Sequence, residues 1–292
     1  MWPMKNFYDH IRTNPGLTRL EIGNLLFSEY NCPIESKLFE IWAQLDYIVY
    51  VISGEKTWHT TDGSFRIRPG DTLFFKKGGA IIEQHFGADF CVFIFFLDDD
   101  TIQEVLRECN VGTQYPQQHG KCAISLERDT CFTAFIDSIK RYFLEGGKPD
   151  NQIILLKLKE LILSLATSGK NPEVASYLQG IAWGKGPSIE QIMESNFRYR
   201  LGMDEFAKLC GCSLSKFKRD FAAHFQEPPG KWIQRKRLEY AAGLLRSQND
   251  LSVTDVYFES GFEDSSHFSS SFKKYFGQSP REYRSSNNPS GL

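Results

Sequence analysis

Between Leu38 and Leu97 the apolar positions come in short runs; from Thr101 onward they recur at helical spacing. The short runs are Leu38–Trp42, Tyr47–Ile52, Lys56–His59, Phe65–Arg68, Thr72–Phe75, Ala80–Gln84 and Phe90–Leu97. Ser53-Gly54, Asp62-Gly63, Pro69-Gly70-Asp71 and Gly78-Gly79 part them. Runs of this length bounded by turn residues predict strands, and their close succession predicts a small barrel or jelly roll over residues 1–100. Helical spacing then covers Thr101–Asn110, behind an acidic cluster at Asp98–Asp100 that suits a helix N-terminus. After a loop through Tyr115–Gly120 comes a helical hairpin, Arg128–Glu145 and Asn151–Ser168, parted by Gly146–Pro149. Its second helix carries an apolar arc that includes Ile153, Leu156, Leu158 and Leu161, wider than the one face of a surface helix. It is expected to bury two faces, one against its own barrel and one against another subunit or domain; a wholly internal helix fits the pattern equally well. Pro172–Ile181 adds a short helix, and Gly184–Pro187 reads as a linker. Three regions follow: 1–100, 101–183 and 187–292.

The last region repeats a pattern. Phe206, Gly211, Phe217, Phe221, Phe225 and Pro229 return as Val256, Gly261, Phe268, Phe272, Phe276 and Pro280. The offset is 50 residues up to the glycine and 51 after it, so the second turn is one residue longer. Each copy reads as helix, glycine turn, helix, which is a helix-turn-helix whose second helix can enter a DNA major groove. Helices are predicted at 189–196, 203–209, 214–224, 230–246, 253–259, 265–276 and 280–285. Ser188, Ser213, Ser252, Asp264 and Ser279 stand where N-caps are wanted, and Ser188…Gln191 and Ser279…Glu282 have capping-box spacing. In the first recognition helix Leu214, Phe217, Phe221 and Phe225 share the core face. Ser215, Lys218 and Arg219 then face outward, with Lys216 on the opposite flank. Arg219 can pair in bidentate fashion with a guanine edge, and Lys218 can reach guanine or phosphate. In the second recognition helix the matching positions are Ser266, Ser269 and Ser270, which discriminate bases weakly. His267, Lys273 and Lys274 are placed for phosphate, which positions without specifying.

The tandem pattern resembles the C-terminal DNA-binding domain of the AraC/XylS transcription regulators. The second copy carries it best, through Val256, Gly261-Phe262, Asp264, His267-Phe268, Phe272–Gly277, Pro280 and Tyr283-Arg284; Arg237-Leu238, Ala241 and Leu244-Leu245 match the family's connecting helix. Tyr257 departs from it, standing where a small residue is expected. Val51–Glu55 and Phe65–Phe75, with Pro69-Gly70-Asp71 inside, are similar to the cupin-like sensor half of the same family. The fold implied is a multidomain α and β protein: an N-terminal cupin-like β-barrel with a helical hairpin, and a C-terminal all-α tandem helix-turn-helix domain. The resemblance implies a sequence-specific transcription regulator, usually an activator, that binds double-stranded DNA, recruits RNA polymerase and dimerises. It places base-reading side chains at Ser215, Lys218 and Arg219. The signal is either a small-molecule effector, with unknown binding residues, or a regulatory protein, as in the type III secretion activators that the same segments resemble.

Charge sharpens this picture. The 292 residues carry a formal net charge of −2, but residues 187–292 hold 15 Lys and Arg against 13 Asp and Glu. Within 208–237 eight basic residues face two acidic ones, so positive charge gathers on the first motif. Enzyme readings find little support. A cupin enzyme needs a cluster of His and carboxylate ligands, and only His59 and His85 lie among the strands, without a His-x-His pair. A DNA-repair methyltransferase needs a thiolate cluster, and Cys32, Cys91, Cys109, Cys122 and Cys131 are scattered. Cys210 and Cys212 lack the further ligands of a zinc site. No metal, cofactor or catalytic residue is expected. Seven cysteines at irregular spacing, no apolar leader core and no long apolar run predict a cytoplasmic protein without membrane contact.

Overall fold

The computed structural model describes residues 4–31, 37–85, 89–113, 121–144, 149–247 and 250–287. The expected loop at Tyr115–Gly120 and the glycines of the 146–149 break lie outside the described residues. The chain divides into two units, residues 1–191 and 192–292.

The first unit contains β1 (Lys5–Asn6), α1 (Phe7–Thr13), β2 (Thr18–Ile22), β3 (Leu25–Asn31), β4 (Leu38–Ala43), β5 (Asp46–Ser53), β6 (Lys56–Thr60), β7 (Gly63–Ile67), β8 (Thr72–Phe75), β9 (Gly78–Gln84) and β10 (Cys91–Leu97). After these come α2 (Asp99–Glu108), β11 (Ala123–Ser125), α3 (Thr130–Leu144), α4 (Asn151–Thr167) and α5 (Pro172–Ala182). The strands form two sheets, ordered β1-β4-β9-β6-β7 and β11-β8-β5-β10-β3-β2. Pairing is antiparallel except between β1 and β4. Alternation explains the wholly apolar β10. Val92, Ile94 and Phe96 enter the core between the sheets, while Phe93, Phe95 and Leu97 enter a second core shared with α2–α5.

Two expectations for residues 1–100 give way. The segment is not all strand, because α1 folds behind Asn6, whose side chain accepts the Asp9 N–H. This helix inserts Phe7, Tyr8 and Ile11 into the inter-sheet core, with the Phe7 ring 5.4 Å from Tyr47 and 5.9 Å from Phe96. Nor does the sheet stop at residue 100, since β11 pairs with β8.

In α4 the core side is Ile154, Leu158, Leu161, Ile162, Leu165 and Ala166, all buried. Leu158, counted in the arc available to a partner, is 1% exposed, whereas Ile153 and Leu156 are 39% and 61% exposed. The arc therefore splits into a core face and a solvent face.

The chain continues through α6 (Ile189–Asn196), α7 (Met203–Leu209), α8 (Leu214–Phe225), α9 (Pro229–Ser247), α10 (Val253–Glu259), α11 (Ser265–Phe276) and α12 (Pro280–Asn287). Ser188 and Gln191 cap α6 reciprocally, as Ser279 and Glu282 cap α12. An aromatic stack holds the first motif to α9: Phe221 lies 4.4 Å from Phe225, and Phe225 lies 5.2 Å from Trp232. Leu238, Ala241, Ala242 and Leu245 farther along α9 pack on Val256, Phe262, Phe268 and Phe272 of the second motif. Tyr257 finds room at the edge of this cluster, its ring 6.2 Å from Phe268.

Candidate nucleic-acid interface

The turn between α7 and α8 places Gly211 at φ +62°, and the longer turn between α10 and α11 places Gly261 at φ +82°. Both values lie where a side chain is disfavoured. At Gly261 the space is also taken, because a Cβ there would lie 2.2 Å from the Arg198 carbonyl oxygen. That carbonyl belongs to a segment that Arg237 fastens to α9: its Nε donates to the Phe197 carbonyl at 2.7 Å and its Nη2 to the Tyr199 carbonyl at 2.8 Å. Burial pushes Arg237 down to about 10, so it remains charged at neutral pH.

Ser213 opens α8 by accepting the Lys216 N–H. With Phe217 and Phe221 buried, Ser215, Lys216, Lys218 and Arg219 are all exposed, and the Arg219 side chain retains 74% of its accessible surface. Sequence reasoning missed Asp220 beside them. Its carboxylate accepts from Lys216 and, at 3.3 Å, from Arg219 Nε. The hydrogen bond from Lys216 holds Asp220 below the usual carboxylate range and raises Lys216 in turn. Two cations of the recognition helix are thus braced by one anion. The one-turn spacing of Lys216 and Asp220 was the available signal.

Asp264 opens α11 by accepting the His267 N–H. Ser266, His267, Ser269, Ser270, Lys273 and Lys274 are exposed. Ser270 donates its hydroxyl to the His267 carbonyl at 3.1 Å, so its proton is engaged within its own helix. A cleft of about 570 Å³ opens beside His267, lined also by Met203, Ile233, Arg237 and Phe262.

In the first unit the strand histidines are held by neighbours. His59 lies between Ser64 Oγ at 2.7 Å and Glu83 Oε2 at 3.2 Å, and His85 Nε2 lies 2.9 Å from Thr57 Oγ1. Among the described residues no group of three or more His, Cys, Asp or Glu is arranged to hold a metal ion, and no helix is long and apolar enough to cross a membrane. Asp46 is the unexpected polar group. One oxygen accepts from the Lys77 N–H at 2.8 Å and the Tyr177 hydroxyl at 3.1 Å; the other is buried without a hydrogen-bond partner. Burial pushes this carboxyl up to about 6, against the pull of Lys77.

Two helix-turn-helix motifs on one connecting helix, each exposing the outer face of its second helix, define a DNA-binding transcription regulator. Residues 206–286 match the family described as "Helix-turn-helix domain", and residues 46–177 match "ExsA N-terminal regulatory domain". The two matches together make the chain similar to the AraC/XylS transcription regulators in both of its halves. It is 24% identical over 258 residues to the HTH-type transcriptional regulator ExsA of Pseudomonas aeruginosa, covering 87% of this chain and 91% of that one. It is 30% identical over 141 residues to the virulence regulon transcriptional activator VirF of Yersinia enterocolitica, covering 48% of this chain and 52% of that one. Against the HTH-type transcriptional activator RhaS of Escherichia fergusonii it is 38% identical over 92 residues, covering 32% of this chain and 33% of that one.

Proposed function

We propose that the protein activates transcription from the cytoplasm by laying α8 and α11 in successive major grooves of one DNA face, with α8 supplying most of the base discrimination. Residues 187–292 bind DNA and the helices of 101–183 dimerise the chain. The barrel begun within 1–100 receives the signal, and the bound dimer recruits RNA polymerase. VirF and RhaS, named as activators, support the direction of control. The observation that carries the reading is Arg219: exposed, on the face opposite the phenylalanine core, and flanked by Lys216 and Lys218. A bidentate arginine–guanine pair gives about 1–3 kcal/mol of discrimination. Serines 266, 269 and 270 give less, while His267, Lys273 and Lys274 supply phosphate attraction.

The test is fluorescence anisotropy on operator, point-mutated operator and random duplex across a salt series. Arg219→Ala should lose operator affinity and relax base preference at one position; Ser270→Ala should change little. Lys273→Ala should weaken binding to every sequence alike and lower the slope of log K against log salt by about 0.9. Equal loss of specificity for Ser270→Ala and Arg219→Ala would overturn the assignment.

For the signal, a protein partner is favoured over a small molecule. The space between the sheets is occupied by Phe7 and Tyr8 of α1 against Tyr47, Phe75 and Phe96. A small apolar compound that raises Tm and binds stoichiometrically to the wild-type protein would reverse this preference.

A further inference from the structure

A chain of polar side chains runs across α9 from one motif to the other. Glu227, two residues beyond α8, accepts from Arg235 Nη2 at 2.6 Å. Arg235 Nη1 also donates to Glu239 Oε1 at 3.2 Å, one turn farther along α9. The same Oε1 accepts the hydroxyl of Tyr275, in the last turn of α11, at 3.1 Å. A second bond from α9 to α11 lies nearby, Gln234 Nε2 to Ser271 Oγ at 3.1 Å.

These groups contribute little to holding the unit together. Glu239 and Arg235 side chains are 41% and 32% exposed, and ion pairs at such sites are worth at most about 1 kcal/mol. The aromatic stack on Trp232 and the cluster around Phe272 and Tyr283 bind each motif to its own part of α9. Apolar burial is non-directional, however, and tolerates small rotations of one packed helix on another. Hydrogen bonds are directional. Glu239 is the atom group where a bond from the first motif's side and a bond from the second recognition helix meet.

We propose that Glu239 is a positioning residue that fixes the angle between the two recognition helices and so sets the spacing of the two DNA boxes the protein accepts. This rests on the reading that both helices enter successive grooves. One added base pair shifts the second box by about 3.4 Å and turns it by about 35°, since a helical turn is 10–10.5 base pairs. A rigid pair of helices cannot follow that change, whereas a loosened pair follows it in part.

The test uses the full-length protein and an operator selected by the wild type from a random duplex pool. Duplexes with native box spacing, with one base pair added or removed, and with the second box scrambled are compared by anisotropy, alongside thermal unfolding of each variant. Glu239→Ala and Tyr275→Phe should leave Tm and native-operator affinity nearly unchanged. Both should reduce discrimination against altered spacing by about threefold, the size expected of an exposed hydrogen-bonded pair. Glu239→Gln, which keeps an acceptor, should restore most of it. An unchanged spacing profile overturns the proposal. So does an equal loss of affinity at every spacing, which marks a merely structural role. If the wild type binds the scrambled second box as tightly as the intact operator, two-groove reading itself fails, and the proposal falls with it.

Discussion

Gly211 and Gly261 hold equivalent turns, yet their surroundings differ. No heavy atom lies within 4 Å of a Cβ built on Gly211, while at Gly261 the Arg198 carbonyl stands in the way. Gly211→Ala should therefore cost only the positive-φ penalty, about 1 kcal/mol, and Gly261→Ala at least about 3 kcal/mol, read from urea midpoints. Both glycines were legible in the sequence, as were the caps, because a turn or cap is decided within a few residues. Asp46 was not legible, since its partner Tyr177 lies 131 residues away. Its carboxyl is shifted up in the folded chain, so the neutral form is the one the fold prefers. The stability it lends is complete below about pH 4 and is lost as pH rises through about 6. Asp46→Asn removes that dependence. Relative to the wild type, the variant should gain about 1 kcal/mol between pH 5 and pH 7, by urea unfolding at each pH. A constant difference would place the titration elsewhere.

At the scale of elements, the helices of the repeated pattern were read almost to the residue, short ones included. The helix predicted at 265–276 is α11, and that at 253–259 is α10. Seven strands fall on the seven apolar runs. The elements left unread belong to neither the runs nor the repeat: β1 to β3 precede Leu38, and α1 with seven residues and β11 with three are too short for a period to show without a second copy beside them. The two faces of α4 needed the structure, because its apolar arc alone did not say which leucines meet a partner. Ile153 and Leu156 form the solvent face, so the proposed two-fold contact runs through them. Leu156→Glu should give a folded monomer by sedimentation velocity at concentrations where the wild type is dimeric. Leu158→Glu would place a charge in the core and unfold the unit instead. A Leu156→Glu protein that remains dimeric would move the interface off α4.

For the whole molecule, charge and contact range separate the two units. Residues 208–237 concentrate eight basic side chains against two acidic ones, although the entire chain is slightly acidic. The DNA-binding character was legible because it lives in one local, repeated pattern. The tuning of that surface was legible only in part: Asp220 stands one turn from Lys216 on the same helix, whereas the relay through Glu239 is visible only once α9 and α11 are set beside one another.

The sharing of Phe27, Ile48, Phe74, Phe93 and Phe95 between a sheet face and the covering helices limits how the protein can be cut. A fragment ending at residue 100 would keep ten strands but bare that aromatic face and lose β11, offering a broad sticky sheet to its neighbours. A fragment ending at residue 183 keeps α2–α5 over it. The shorter piece should collect in inclusion bodies and the longer one in the soluble fraction, compared by expression at one temperature. Equal solubility would mean that the strands fold without their helical cover. Any partner screen that starts from the barrel alone would therefore report the stickiness of an exposed core, and the bait for such a screen should extend through α5.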